Sequence, residues 1–156
     1  MTAARPRFVV CEDGTEYLDR FQRFLSDAFD FLAAGDFVAA LAAATGGASG
    51  LLLDLDFRRT PPARLVDEAG PVSPGLDAGS SRRLAETQGI LILRQLRARG
   101  VGLPALLFAD LDDQEQARFL ERTLAPLTVV SSRLGIVEVA RLMRAALAGT
   151  TLAGTT

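Results

Sequence analysis

Carboxylates close three short apolar runs in this chain. Glu12 and Asp13 follow Phe8-Val-Val-Cys11, Asp54 and Asp56 end Leu51-Leu-Leu-Asp-Leu-Asp56, and Asp110 follows Pro104-Ala-Leu-Leu-Phe-Ala109. Oxygen donors brought together from separate strands suit a hard divalent cation, and such a cation supports phosphoryl chemistry. The remaining composition removes the alternatives. The chain has no histidine, and all 17 of its basic residues are arginine. It can therefore build no Ser-His-Asp triad, no imidazole metal ligand, no Schiff base and no P-loop lysine. A single cysteine, Cys11, makes neither an internal disulfide nor a thiolate zinc site, and a cytoplasmic setting is the default expectation. Cys11 itself reads as a small buried apolar residue. Any catalysis must run on carboxylates, hydroxyls, arginines or a hard metal ion.

Those acids need a scaffold, and the hydrophobic periodicity supplies one. Phe8–Cys11 reads as a buried strand. Residues 15–26 carry Leu18, Phe21, Phe24 and Leu25 at helical spacing, with Tyr17 as a partly exposed helix residue. Phe29–Ala34 is a weaker strand, and Asp36 is placed to cap a helix over Phe37–Ala44. The run from Leu51 is apolar enough for burial on both faces, as in a parallel sheet. Residues 58–80 hold Pro61, Pro62, Pro71 and Pro74 and read as a long inserted loop, with a short helical turn around Ala63–Glu68. Arg82–Arg99 reads as one helix closed by Gly100, with Arg94, Arg97 and Arg99 on its wet face. A strand at Pro104–Ala109 and a helix capped by Asp112 or Asp113 follow. The strand Leu127–Val130 and a helix over Ile136–Leu147 complete the pattern.

Five strand–helix units predict an α/β fold, a doubly wound parallel sheet with right-handed crossovers. Function then belongs at the carboxyl ends of the strands, where the acids fall. One domain is expected over residues 1–149, followed by a flexible tail at 150–156. Of the 156 residues, 49% are hydrophobic and 23% charged, a globular balance. The net charge of −2 gives no electrostatic reason for a nucleic-acid or membrane partner. The apolar runs are too short to span a bilayer, and no N-terminal signal pattern precedes the first strand.

At this point the motifs resemble a known family. Val9-Val-Cys-Glu-Asp13 is similar to the acidic opening of response-regulator receiver (CheY-like) domains of two-component signalling. Leu51-Leu-Leu-Asp-Leu55 resembles the segment whose aspartate accepts a phosphoryl group. Ile92–Gly100 with Leu103–Ala109 resembles the third helix and fourth strand, and Leu134-Gly-Ile-Val-Glu-Val139 the start of the last helix. The resemblance implies a flavodoxin-like sheet in the order 2-1-3-4-5 with residues 58–80 inserted after strand three. It puts Asp54 at the phosphoacceptor position and Glu12 and Asp13 at the acidic pair that, with Asp54, holds magnesium. In the strand register Cys11 takes the place of the first acid.

The chain also departs from the pattern. Ala109 stands where receivers have Thr or Ser, and Ser132, or in a shifted register Ser131, where they have lysine. An aspartyl phosphate among carboxylates needs positive charge to offset it, which neither residue supplies. Arg58 or Arg59 is the available substitute cation. The expectation is a degenerate pseudo-receiver in which magnesium is weakly held or absent. It would act outside or beside a phosphorelay by binding a protein: a histidine kinase, a downstream regulator, or a second copy of itself. The docking surface would be the proline-rich insertion, or the face of the last strand with the helices flanking it. An alternative is a Toprim-like magnesium-dependent phosphoryl-transfer or nuclease site, since Glu12-Asp-Gly14 resembles Glu-x-Gly and Asp54-Leu-Asp56 resembles Asp-x-Asp. It would use Glu12, Asp54 and Asp56. A haloacid-dehalogenase-type phosphatase fits less well, because that family carries Asp-x-Asp on its first strand.

Overall fold

The computed structural model of the chain describes residues 3–72 and 74–152. The apolar runs have nothing polar to show solvent on either face, and they become the middle of a sheet. Strands β1 (Arg7–Cys11), β2 (Asp30–Ala34), β3 (Gly50–Asp54), β4 (Ala105–Phe108) and β5 (Leu127–Val130) pair in parallel in the order β2-β1-β3-β4-β5. This is the expected doubly wound α/β sheet. Register fixes the rim: Cys11 lies between Ala34 and Leu53, and Asp54 lies beside Phe108. Glu12, Asp13 and Asp54 therefore leave the sheet at one edge.

Period-two alternation divides the core. Val9, Cys11, Leu51, Leu53 and Leu107 face α2 (Phe37–Thr45) and α4 (Gln88–Ala98), while Phe8, Val10, Leu52, Leu106 and Phe108 face α1 (Glu16–Leu25) and α6 (Ile136–Leu152). Asp36 caps α2 as expected, accepting from the Ala39 N–H at 2.9 Å. Asp113, not Asp112, caps α5 (Gln114–Thr123).

Several elements differ from expectation. Residues 82–99 form two helices, α3 (Ala78–Glu86) and α4, broken at Thr87. In a continuous helix the Gly89 N–H would bond to the Ala85 carbonyl. Here Gly89 donates to Leu55 O at 3.0 Å, and Ala85 O accepts from the Phe57 N–H at 2.8 Å. The chain leaving β3 thus takes both halves of that bond and splits the helix. Gly89 is needed for this approach, since a methyl there would overlap the Asp54 carbonyl. β3 ends at Asp54, leaving Asp56 in the loop.

The insertion is packed rather than loose. It has a 3-10 turn at Pro62–Arg64, starting one residue earlier than expected and shorter, a bridge between Val66 and Pro71, and buried Leu65 and Val66. Gln88, 1% exposed, holds it by accepting from the Val66 N–H at 2.8 Å and donating to the Val66 carbonyl at 3.0 Å. Gln95 donates to the Asp67 and Glu68 carbonyls.

Phe24 is 57% exposed, not inward, and lies against Arg23 instead; α1 buries Phe21 and Leu25, one turn apart. Of the expected wet face, Arg99 is exposed, whereas Arg97 is partly buried. Arg97 donates to the Leu124, Val101 and Pro126 carbonyls, and Arg99 stacks over Phe37. α6 continues past Leu147 to Leu152, into the expected tail, whose last residues lie outside those described. Among the described residues no helix is long and apolar enough to cross a membrane.

Candidate functional site

Glu12 follows β1 directly and is only 4% exposed. Its Oε1 accepts from the Tyr17 N–H at 3.0 Å and its Oε2 from the Leu18 N–H at 2.8 Å. Helix α1 needs that partner, because Thr15 at its N-terminus provides no side-chain cap. Burial raises the Glu12 pKa, against the lowering effect of the Leu18 and Tyr17 N–H groups.

Asp13 takes a different partner. Arg59, from the insertion, donates its backbone N–H to Asp13 Oδ2 at 2.9 Å and its Nη2 to Oδ1 at 3.0 Å. The same guanidinium reaches both oxygens of Glu16, at 2.7 and 3.0 Å. Bonded this way, Glu16 is pulled down to a pKa of about 2, chiefly by its hydrogen bond to Arg59. Gly14 leaves room for the pair, since a methyl there would overlap the guanidinium and the Glu16 carboxylate. Arg58, the other candidate cation, turns back on Asp56: its Nε lies 2.7 Å from Oδ2 and its N–H donates to Oδ1.

Asp54 has no such partner. Its Oδ1 accepts from the Leu55 N–H at 2.8 Å, and no arginine among the described residues is bonded to it. Its pKa is raised to about 6, first by burial and then by the neighbouring charges of Asp13, Glu12 and Asp56, with the Leu55 N–H opposing. At the far side of the rim, Asp110 accepts from the Ser131 hydroxyl at 2.9 Å, the Ser132 N–H at 3.1 Å and the Ser132 hydroxyl. These bonds, led by the Ser132 hydroxyl, lower its pKa. Both serines are thus committed to the loop after β4. Ala109 is buried and donates its N–H to Val130 O at 2.9 Å; it offers the rim no hydroxyl.

Two rim residues were not read as site residues from the sequence. Glu16 sits three positions after Asp13, where the first turn of α1 returns to the rim. Tyr17 packs against Phe108, ring centroids 4.9 Å apart. Its hydroxyl is raised to a pKa of about 12, first by burial and then by the charges of Asp54, Glu12 and Asp110.

As arranged, these side chains do not fit a magnesium ion. Both oxygens of Glu12 face α1, both of Asp13 face Arg59, and only Asp54 keeps an oxygen without a bonded partner. Among the described residues no group of three or more Asp, Glu, Cys or His side chains is placed to hold a metal. Nothing in the geometry supports the Toprim-like arrangement either, because Asp56 is engaged by Arg58 in a local turn.

No protein-family model and no curated protein sequence matches the chain. Solved structures do match. The receiver domain of the Francisella response regulator 1452 aligns with a TM-score of 0.64 at 18% identity, over 94% of this chain and 99% of that one. The signal receiver domain of a Luxo repressor protein from Vibrio parahaemolyticus gives 0.67 at 13% identity, over 97% and 96%. The chemotaxis protein CheY4 of Vibrio cholerae gives 0.64 at 12% identity, over 92% and 99%. The chain has the fold of response-regulator receiver domains.

Proposed function

We propose that this chain is an atypical receiver-type signalling module that works in the cytoplasm by binding another protein, its phosphoryl switch weakened or lost. The observation that carries this reading is the state of Asp54. The resemblance assigns it the receiver phosphoacceptor position; it lies among like charges, and the guanidinium of Arg59 is spent on Asp13 and Glu16. A phosphoryl group on Asp54 would add a dianion where no arginine among the described residues is bonded to the acceptor. Ala109 and the engaged serines support the same conclusion. The partner is a histidine kinase or a downstream regulator, or a second copy of the chain. The docking surface is the insertion or the α5–β5–α6 face, where Phe119 and Val137 are exposed.

The test is incubation with a small-molecule phosphodonor and magnesium, read by intact mass. The wild-type chain is expected to stay unmodified. A stable phosphoryl adduct that disappears in Asp54→Asn would overturn the reading.

A further inference from the structure

Arg59 binds the acids in the manner of a ligand. Its planar guanidinium presents paired N–H groups, a shape that carboxylates accept in fork geometry. Glu16 takes one such fork, and Asp13 takes a second made of Nη2 and the Arg59 backbone N–H. The Asp13 side chain is only 6% exposed, so Arg59 replaces most of the water its charge would otherwise hold. An isolated surface ion pair contributes little, but geometry of this kind, with several charges sharing one donor group, is the exception. The local sequence favours it, because Gly14 has no side chain to block the approach. The loop favours it too: Phe57 is fully buried and anchors the chain two residues before Arg59.

We propose that Arg59 is the resident cation of this rim, occupying the place a divalent ion would need and keeping the acids silent toward metal. The inference rests on the reading of the rim as a receiver-type site without its switch, and it supplies a cause. Asp13 is not a poor ligand in itself; it is already bound. Glu12 adds nothing to the competition, since its oxygens are held by α1. Freeing Asp13 and Glu16 from the guanidinium should therefore restore a cation site next to the unpaired oxygen of Asp54.

The chain offers a reporter at the right place. Tyr17 is its sole tyrosine and it has no tryptophan, so tyrosine fluorescence comes from the rim. The wild-type protein and Arg59→Gln are titrated with manganese(II), which quenches a nearby fluorophore, with circular dichroism confirming the fold. Arg59→Gln is expected to show saturable quenching at about tenfold lower manganese than wild type, or lower still, because a unit positive charge within contact distance of the site has been removed. Magnesium should reverse the quenching, and Asp13→Asn in the same background should abolish it. Gly14→Ala is an independent route, since its methyl displaces the guanidinium without deleting it, and it should shift binding in the same direction. Equal manganese affinity in wild type and Arg59→Gln would overturn the proposal, as would folded Arg59→Gln and Gly14→Ala proteins that both ignore the metal. The two readings fail separately. A phosphoryl adduct on wild-type Asp54 sinks the silent-site reading, whereas an unmodified wild type beside a metal-blind Arg59→Gln sinks only the role given to Arg59.

Discussion

Replacing Asp54 with asparagine should stabilise this protein at neutral pH. Asp54 is partly buried, its one bonded partner is the Leu55 N–H, and other carboxylates surround it. Asparagine keeps an oxygen for that N–H, matches the shape and removes the charge. The rise from an ordinary 3.8 to about 6 corresponds to about 3 kcal/mol between the two protonation states, at about 1.4 kcal/mol per unit. Partial exposure trims that figure, so the expected gain is about 2 kcal/mol, or about 4–8 °C in Tm for a chain of this size. The sign follows from linkage. A carboxyl whose pKa is higher in the folded state holds its proton more tightly there. Its contribution to stability is therefore complete below the unfolded pKa, near 3.8, and is lost as pH rises through about 6. Asp54→Asn and wild type should thus have similar stability near pH 4 and diverge to the full difference above about pH 7. Urea unfolding across that range, in buffer with a chelator, measures the difference directly. A difference that stays flat with pH, or an asparagine variant less stable at pH 7, would refute the reasoning. Either result would mean that the Asp54 charge is not a cost to the folded protein.

Gln88→Ala should cost about 3 kcal/mol in urea unfolding, because it strands both the N–H and the carbonyl of buried Val66. Amide exchange at Val66 should accelerate with it, and a loss under about 0.5 kcal/mol, the range of ordinary surface changes, would show that the insertion is held by other means. Asp36→Ala should cost about 1 kcal/mol through loss of the α2 cap. Asp36→Asn, which can still cap, should retain most of the wild-type Tm, and equal losses in the two variants would assign the effect to the Arg64 ion pair instead.

The parts of the fold legible in the sequence are those that local chemistry dictates. Phe8–Cys11, Leu51–Leu53 and Ala105–Phe108 read as strands because a continuous apolar run has no polar face to expose, and each is buried as expected. Asp36 could be read as a cap from its position before Phe37. The break at Thr87 could not. Leu84, Leu91, Leu93 and Leu96 keep helical spacing across it, and the backbone bonds that split the helix come from Leu55 and Phe57, some thirty residues earlier in the chain. The insertion looked like a loop for the same reason: prolines announce the absence of regular structure, but the glutamines that pin it lie on α4.

The rim divides along the same line. Its acids other than Glu16 were legible as a set, since each follows a strand-like run, but how each one is neutralised was not. Glu12 is satisfied by the backbone of α1, Asp13 and Glu16 by a guanidinium from the insertion, and Asp110 by serines after β5. Each solution depends on a contact between separate elements, and Arg58 and Arg59, adjacent in sequence, end on different acids. Which arginine reached the rim was decided by the turn. The Asp56 side chain captures Arg58 two residues on, a local motif, and this leaves Arg59 as the one directed at Asp13. Asp54, the residue the resemblance singled out, is the acid that none of these devices serves. The rim thus compensates the acids around Asp54 through contacts between separate elements and leaves Asp54 with the Leu55 N–H as its bonded partner.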